Sequence, residues 1–351
     1  MAEKVYEWKQ VEGTFPWMLQ MQKPALPKRE ISYAENYRRT VVGEKPVWMP
    51  LAGSETDTCW PDVIEEHPVP EVDGFDYWGV EWQNVPIAGG MITKPGTRVI
   101  KSFDTWREDV VWPDIEAIDW AYDGEKISSR FDPERAHIYQ CTEGIFERLH
   151  EMMPFDETLL AMALEPESAL EFFHKMADYK IATIGKVFEH YGRIDGVLYH
   201  DDWGHQNSGF FSNAMFRELL MPPTKRVFDF IKSQGKYIEL HSCGKNMQYM
   251  DEFIELGVDM WSPQLSGAND PRWLKENYGD KMTFSFPVEG LNEPDIDEAT
   301  ARQRVRDFVD FYGIGGRMVA GIRLGPDKAD IAQACREELY SYSKEFYAKT
   351  L

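Results

Sequence analysis

The chain has 351 residues, of which 43% are hydrophobic and 28% are charged, a composition typical of globular proteins and unlike that of disordered ones. Its 60 acidic and 38 basic residues give a formal net charge of −22, which disfavours binding to nucleic-acid phosphates or to anionic membrane surfaces. Four widely spaced cysteines argue against a small disulfide scaffold. The sequence has neither a start of signal-peptide type nor a membrane-spanning apolar stretch, so we expect a cytoplasmic protein.

The first third of the chain is irregular. Residues 1–45 are polar, and we expect an N-terminal arm, with one helix around Tyr33–Arg39, that caps the fold or contributes to a homodimer. Residues 47–52 predict a buried first strand. Residues 53–112 are too long for a plain connection, so we interpret them as a functional excursion containing a hairpin with its turn at Lys94-Pro95-Gly96.

From about residue 135 onward, apolar strands and amphipathic helices alternate. This alternation predicts a parallel sheet with helices outside it, and we expect a single-domain (β/α)8 TIM barrel over 1–351, with the 53–112 excursion over its mouth. An open doubly wound sheet is the alternative, although no G-x-G-x-x-G follows the first strand. The eighth strand is expected near 155–165 or in the excursion. The other strands, after 47–52, are predicted at 136–141, 194–202, 237–243, 258–264, 282–290 and 317–323.

The sharpest local signal is the sequence His241-Ser242-Cys243-Gly244 at the end of a predicted strand. Residues two apart on a strand share a face, so His241 and Cys243 can direct an imidazole and a thiolate to one ion. This ligand pair suits Zn²⁺, and Gly244 would let the backbone turn close to the site. The structural alternative is a hydrogen-bonded core histidine beside a small buried cysteine.

Two carboxylates, Asp201 and Asp202, end the strand predicted before the zinc motif. They would repel each other if both were buried, so we expect one to face the site and the other a helix cap or a counter-charge. Asp202 is predicted to bind substrate or to act as a general acid. A zinc site also needs a third protein ligand, for which Glu289 is the best-placed residue, ahead of Gln264 and the two aspartates.

Aromatic residues make up 14% of the chain, and many tryptophans lie in polar loops. Either the loops fold back and bury them, or several line a pocket for a flat or apolar ligand. Alternation places Trp78 and Trp82 on one face, as a hairpin packed on the barrel or as a lid over its mouth. Glu143 is a weaker site candidate at the start of a helix. The predicted substrate-binding residues are Trp78, Trp82, Tyr199, Trp203, Gln206 and Gln264.

Together these features resemble the uroporphyrinogen decarboxylase-like superfamily. The resemblance is strongest across residues 199–264 and extends more loosely from about 43 to the C-terminus. Members of the superfamily are TIM barrels. Its decarboxylases carry an R-Q-A-G-R type segment near the first strand, whereas Met49–Ser54 contains no arginine here. Its other branch comprises cobalamin-dependent methyltransferases, in which an H-x-C pair and a later ligand bind zinc. In thiol-methylating members that ligand is a cysteine near the last strand, but 317–323 contains none.

The resemblance to the methyltransferase branch implies an activity and its cofactors. We expect a zinc-dependent methyltransferase that moves a methyl group from a small methylated donor, such as a methoxylated aromatic compound, to the cobalt of a corrinoid on a separate protein. The expected zinc ligands are His241, Cys243 and Glu289, and the expected catalytic residues are Asp202, His241 and Cys243. The alternatives are a uroporphyrinogen-type decarboxylase, a methyltransferase from methyl-corrinoid to a thiol or folate, and a barrel that binds a ligand without turnover.

Overall fold

Seven parallel strands form the central sheet of the protein, in a computed structural model that describes residues 26–61, 63, 73–85, 90–265 and 267–351. The strand order is β1-β5-β6-β7-β8-β9-β10. A parallel bridge between Leu51 and Ala320 pairs the stretch just before β1 with β10, the strand at the other edge of the sheet. The sheet therefore curls, and its two edges approach each other at residues 50–59. The fold is TIM-barrel-like, as predicted. The strands are Thr56–Cys59 (β1), Ala136–Cys141 (β5), Gly196–His200 (β6), Tyr237–Ser242 (β7), Met260–Pro263 (β8), Thr283–Pro287 (β9) and Met318–Gly321 (β10).

Helices follow these strands and cover the outer face of the sheet. Outward-facing residues such as Val197, Leu240 and Phe284 are fully buried beneath them, which explains why the strands are almost continuously apolar. Among the described helices, none combines the length and apolarity needed to cross a bilayer. The helices are Tyr33–Val42 (α1), Trp106–Asp109 (α2), Trp120–Ser128 (α3), Ile145–Met152 (α4), Phe155–Leu164 (α5), Pro166–His190 (α6), Asn213–Met215 (α7), Met221–Ser233 (α8), Met250–Leu256 (α9), Pro271–Tyr278 (α10), Glu298–Tyr312 (α11) and Ala329–Thr350 (α12). A π-helical turn, Phe216–Leu220, joins α7 to α8, and short 3-10 turns span Phe103–Thr105, Ile115–Ala117, Met247–Tyr249 and Pro326–Lys328.

Helix α1 closes the amino-terminal end of the barrel. The predicted helix is confirmed and extends to Val42, where Gly43 ends it with φ of +80°. Its side chains Tyr37 and Val41 pack inside the barrel against residues of several strands. The carbonyls of Thr40 and Val41 also accept hydrogen bonds from Thr283 Oγ1, at 2.9 and 3.0 Å. The inward-facing strand residues of this cluster are Ala136, Ile138, Tyr237, Met260 and Val319.

The excursion contains a small antiparallel sheet of β2 (Gly74–Phe75), β3 (Glu81–Val85) and β4 (Gly90–Thr93). The predicted hairpin is therefore present, but its turn was placed wrongly. The loop between β3 and β4 spans 86–89, which lie outside the described residues. Lys94-Pro95-Gly96 follow β4 instead, and form a separate turn in which the Thr97 N–H donates to Lys94 O at 3.0 Å.

A strand is present in the excursion, one of the two places where the eighth strand was predicted, but the described sheet has seven strands because the predicted strand at 47–52 forms only a bridge. Thr56–Cys59 pairs with Ala136–Tyr139, whereas the alternative stretch at 155–165 is occupied by helix α5. The predicted strand at 47–52 contributes only the bridge at Leu51, although Trp48 and Met49 are buried as expected.

Glu55, at the turn before β1, couples the stability of this region to pH. Its buried carboxylate accepts hydrogen bonds from Trp48 Nε1, at 3.1 and 3.2 Å, and from the Leu51 N–H, at 3.2 Å. Burial raises the pKa of Glu55 from 4.5 to about 8, against the lowering effect of these hydrogen bonds. Between pH 4.5 and about 8 the folded chain therefore holds a proton that the unfolded chain has lost, so stability falls as pH rises.

Glu55→Gln should remove this contribution, because glutamine keeps a hydrogen-bond acceptor and has no charge to desolvate. We expect the melting temperature of the variant to fall less than that of the parent protein between pH 5 and 8. The measurement is thermal unfolding of both proteins across this range. Equal losses in both would show that Glu55 does not titrate there.

Candidate metal centre

Two histidines stand side by side at the carboxyl-terminal edge of the sheet. His200 ends β6, His241 is the penultimate residue of β7, and the two are directly paired in the parallel register. Paired residues on neighbouring strands point to the same face, and here this is the inside of the barrel. The two imidazoles stack with ring centroids 4.8 Å apart and planes at 25°.

Each imidazole is held through its Nδ1 atom. His241 Nδ1 donates to the carbonyl oxygen of Ser262 on β8 at 2.8 Å, and His200 Nδ1 donates to Glu147 Oε2 on α4 at 2.9 Å. A carbonyl can only accept, so the proton of neutral His241 is on Nδ1 and the lone pair is on Nε2. A metal-ligating histidine usually donates the N–H of its non-ligating ring nitrogen to a carbonyl or a carboxylate in this way.

A carboxylate and a sulfur complete the group. Asp202 Oδ1 lies 3.9 Å from His200 Nε2, and one ligand atom each of His200, Asp202 and His241 lie within 4.8 Å of one another. Cys243 Sγ is 3.3 Å from His241 Nε2. Imidazole, carboxylate and thiolate ligands at this spacing fit Zn²⁺, whose sites use three or four such groups. The structure thus groups His200 with two of the predicted residues, Asp202 and His241, and places a third, Cys243, in contact with His241 beside this group.

Burial and neighbouring charges set the protonation of the group. Burial, followed by the adjacent His200, lowers the pKa of His241 to about 4, so this ring is neutral at pH 7. Burial alone would also lower the pKa of His200, but the charge and hydrogen bond of Glu147 and the charge of Asp202 raise it to about 10. Burial, followed by Asp202, raises the pKa of the Cys243 thiol. Without an ion, this thiol is therefore protonated and unreactive.

Asp201 points away from the two histidines and caps helix α4. Its carboxylate accepts the N–H groups of Phe146 at 3.2 Å and Glu147 at 2.9 Å, as expected for one member of the Asp201–Asp202 pair. Gly144 is required beside it, because a Cβ there would lie 2.2 Å from Asp201 Cγ. Asp201 therefore fixes the start of the helix whose Glu147 holds His200.

The turn after β7 is fixed by contacts with two neighbouring loops. The Cys243 N–H donates to Asp202 Oδ1 at 2.5 Å, and the Gly244 N–H donates to Gln264 Oε1 at 2.8 Å. Gly244 has φ of +85°, and a Cβ there would lie 2.1 Å from the carbonyl carbon of Gly204. Gln264 thus holds the backbone that carries Cys243, and only glycine fits at the next position.

Two residues predicted for the site lie at its rim. Glu289 is exposed and lines an open groove of about 830 Å³ together with Lys245 and Trp273. It is not part of the group formed by His200, Asp202 and His241. Gln206 is also exposed, on the loop that follows Asp202.

The aromatic residues predicted to bind substrate are buried in the core. Trp78 and Trp82 are only 2% and 5% exposed. The Trp82 indole N–H donates to Asp76 at 3.0 Å, and Trp78 packs edge-on against Tyr179 with centroids 4.7 Å apart. Trp203 packs edge-on against Phe216, and the Tyr199 hydroxyl accepts the Ile145 N–H at 3.2 Å. These contacts agree with the prediction that the loops fold back and bury their tryptophans, rather than with the prediction that the tryptophans line a ligand pocket.

Trp78→Ala should therefore weaken the fold, and we expect the free energy of unfolding to fall by about 3–5 kcal/mol. The milder Trp78→Phe should fold and leave the Michaelis constant for an aromatic substrate unchanged. Trp273→Ala is the matched control, because Trp273 is 38% exposed and should change stability little. Denaturant unfolding and steady-state kinetics measure both effects. A raised Michaelis constant in a stable Trp78→Phe would return Trp78 to the substrate pocket.

Sequence reasoning missed His200 and Glu147. His200 directly precedes the Asp201–Asp202 pair, but the sequence pattern alone assigns it no role. A signal for His200 is nevertheless present in the sequence, because the predicted strands 194–202 and 237–243 each carry a histidine close to the carboxyl end. Glu147 was hidden in an ordinary helix start. Glu143, a weaker candidate, lies after β5 with an unusual φ of +51°, and its charge acts on both Glu147 and His200.

Comparisons with known proteins agree with this architecture. Residues 96–284 match the family Uroporphyrinogen decarboxylase (URO-D). The structure is similar to a methyltransferase from Methanosarcina mazei, with a TM-score of 0.61 and 13% identity over 91% of this chain and 100% of the other. At that identity the similarity shows the fold alone.

Two further solved structures have TM-scores below 0.5, which are too low to support a shared architecture. An endo-beta-1,4-xylanase of glycoside hydrolase family 10 from Gloeophyllum trabeum has a TM-score of 0.36 and 12% identity over 62% of this chain and 80% of the other. A 3-keto-L-gulonate-6-phosphate decarboxylase from Vibrio cholerae has a TM-score of 0.28 and 12% identity over 57% and 84%. A comparison with curated protein sequences finds no match.

Proposed function

The chain belongs to the uroporphyrinogen decarboxylase (URO-D) family, and from this premise we propose that it is a zinc-dependent methyltransferase. Its donor is a small methoxylated aromatic compound, and its acceptor is the cobalt of a corrinoid carried by a separate protein. The observation that carries the proposal is the pair of anchored histidines, His200 and His241, whose Nε2 atoms lie near Asp202 and Cys243. The methyltransferase named among the similar structures, which has the same fold, supports it.

His200, Asp202, His241 and Cys243 are the residues that would hold Zn²⁺. When bound, the ion supplies Lewis acidity toward the ether oxygen of the donor, which is a poor leaving group without it. The chain itself orients the ligands. Ser262 and Glu147 fix the two imidazole rings, while Gln264 and Gly244 fix the turn that carries Cys243.

The proposed reaction breaks the methyl carbon–oxygen bond of the donor. The methyl group passes to the acceptor, whose reduced cobalt supplies the electron pair of the new bond, and the oxygen leaves with the electrons of the broken bond and takes up a proton from water to give a phenol. Asp202 Oδ1 already accepts the Cys243 N–H, so this oxygen serves as an acceptor and ligand. Because Asp202 Oδ1 also lies 3.9 Å from His200 Nε2, we assign Asp202 to holding the ion.

The charges at the mouth favour methyl transfer over porphyrinogen decarboxylation. A porphyrinogen carries many carboxylates and needs several cationic partners. Among the described residues within three positions after each parallel strand, the permanently charged cations are Lys245 and Arg323. Glu143, Asp202 and Glu289 follow strands at the same edge. Such a mouth suits a donor with little negative charge better than a polyanion.

Metal analysis combined with a methyl-transfer assay tests the proposal. We expect about one zinc per chain, and release of phenol from a methoxy-aromatic donor in the presence of reduced cobalamin. The double variant His241→Ala/Cys243→Ala should lose both the metal and the activity. Glu289→Gln, a carboxylate change at the exposed rim, should keep both. A metal-free active protein, or porphyrinogen decarboxylation without methyl transfer, would contradict the proposal.

A further inference from the structure

Arg323 lies at the mouth of the barrel, just beyond β10. Val319 on this strand faces the interior cluster with Tyr37 and Tyr237, and the strand ends at Gly321, so Arg323 follows it by two residues at the carboxyl-terminal edge of the sheet. The guanidinium charge is one of the influences on the pKa of His241, which it lowers after burial and His200. Arg323 therefore faces the same space as the candidate metal centre.

The guanidinium of Arg323 also lacks an ion-pair partner among the described residues. Several exposed arginines elsewhere are ion-paired, for example Arg98 with Glu157 at 2.6 Å and Arg107 with Glu171 at 2.5 Å, although Arg130 and Arg272 are not paired within the described ranges. Within the part of the chain that the structure describes, neither an ion pair nor a side-chain hydrogen bond occupies Arg323. A chain with a net charge of −22 has carboxylates to spare, so this cation is left open.

We propose that Arg323 binds a carboxylate of the methyl donor, which makes the donor an anionic methoxy-arene of the methoxybenzoate type. This inference rests on the proposed methyl transfer and names its substrate class. The planar guanidinium presents two parallel N–H groups to a carboxylate, a geometry that an ammonium cannot reproduce. A single guanidinium without an ion-pair partner at the mouth can bind the single carboxylate of such a donor.

The surrounding charge makes Arg323 necessary for such a donor. Glu143, Asp202 and Glu289 at the same edge repel an anionic ring, as does the net charge of the whole chain. Arg323 offsets this repulsion and orients the donor, because β10 lies across the strand order from β6 and β7, although Glu289 follows the neighbouring strand β9. The carboxylate then lies toward β10 and the methoxy group toward the histidines on β6 and β7.

Equilibrium binding of two matched product analogues tests the inference without the corrinoid. A hydroxybenzoate and phenol differ only in the carboxylate, and their dissociation constants are measured by calorimetry with the zinc-loaded protein. Arg323→Gln should weaken hydroxybenzoate binding roughly tenfold or more, because a charge-assisted pair is lost, and should leave phenol binding unchanged. Arg323→Lys should restore part of the difference. Lys245→Gln, which removes the other cation of this edge, is the matched control and should change neither ligand.

The outcomes separate this inference from the proposed function. Equal weakening of both ligands, or no change in either, would overturn the role of Arg323. Methyl transfer that is equally fast from neutral and anionic donors and unaffected by Arg323→Gln would also overturn the role of Arg323. That result would be consistent with the proposed function. Selective loss of hydroxybenzoate binding in a protein that transfers no methyl group would support the anion site and contradict the reaction.

Discussion

His241→Ala should weaken zinc binding by at least about 100-fold, the largest effect we expect from a single substitution. Changes to the partners of ligating histidines already cost about 10–100-fold, and this change removes a ligand itself. His241 Nε2 lies beside Cys243 Sγ, and the other imidazole of the group, His200, already serves as a ligand, so no neighbouring nitrogen replaces it. The measurement is competition for zinc with a chelator of known affinity.

The control for this prediction is His205→Ala. His205 is an exposed histidine on the loop after Asp202, hydrogen-bonded to Ser208, and its loss should leave zinc affinity unchanged. Equal losses in the two variants would show that the ion is held loosely by surface imidazoles. Full affinity in His241→Ala would remove His241 from the site.

Glu147→Gln should weaken zinc binding by about 10–100-fold although Glu147 does not belong to the ligand group. Its carboxylate accepts the Nδ1 proton of His200 at 2.9 Å and thereby orients the ring and makes Nε2 a better donor. Glutamine can still accept one hydrogen bond, but it brings no charge. Circular dichroism checks that the variant folds, because Glu147 is buried in the first turn of α4.

A double-mutant cycle distinguishes this role from a general effect on the fold. If Glu147 acts through His200, the Glu147→Gln change should have little effect on zinc affinity once His200 is replaced by alanine. Additive losses in the double variant would mean that Glu147 affects the ion by another route, and the assignment of His200 as a ligand would lose its support.

Local patterns in the sequence were enough to predict the barrel and three residues of the candidate site, Asp202, His241 and Cys243. The apolar strands ending in His241 and Asp202 are visible as short runs, and alternation places His241 and Cys243 on one face without any knowledge of the fold. Which residue of the adjacent strand lies beside His241 depends instead on which strands pair and in which register. The His200–His241 pairing joins residues 41 positions apart, so Glu289 on another strand end was an equally reasonable choice before the register was known.

Burial of the tryptophans was harder to predict for a different reason. Trp78 and Trp82 do share a face, as alternation requires, but the pattern does not show what covers that face. Residues on distant helices do so, among them Tyr179 on α6 and Arg148 on α4. Similarly, Thr56–Cys59 is a strand because of its partner β5, since its own sequence, TDTC, lacks an apolar run.

The position of helix α1 determines the order in which two reactants can be accommodated. Because Tyr37 and Val41 fill the amino-terminal end of the barrel, the route to His200 and His241 runs through the opposite end. In the proposed reaction the donor and the protein-bound acceptor would share that single entrance, with the donor lying deeper. The donor then has to enter before the acceptor protein docks. The phenol can leave only after the acceptor protein has dissociated. Such a chain would follow compulsory-order kinetics, and an excess of acceptor protein would slow turnover by covering the entrance of the empty enzyme.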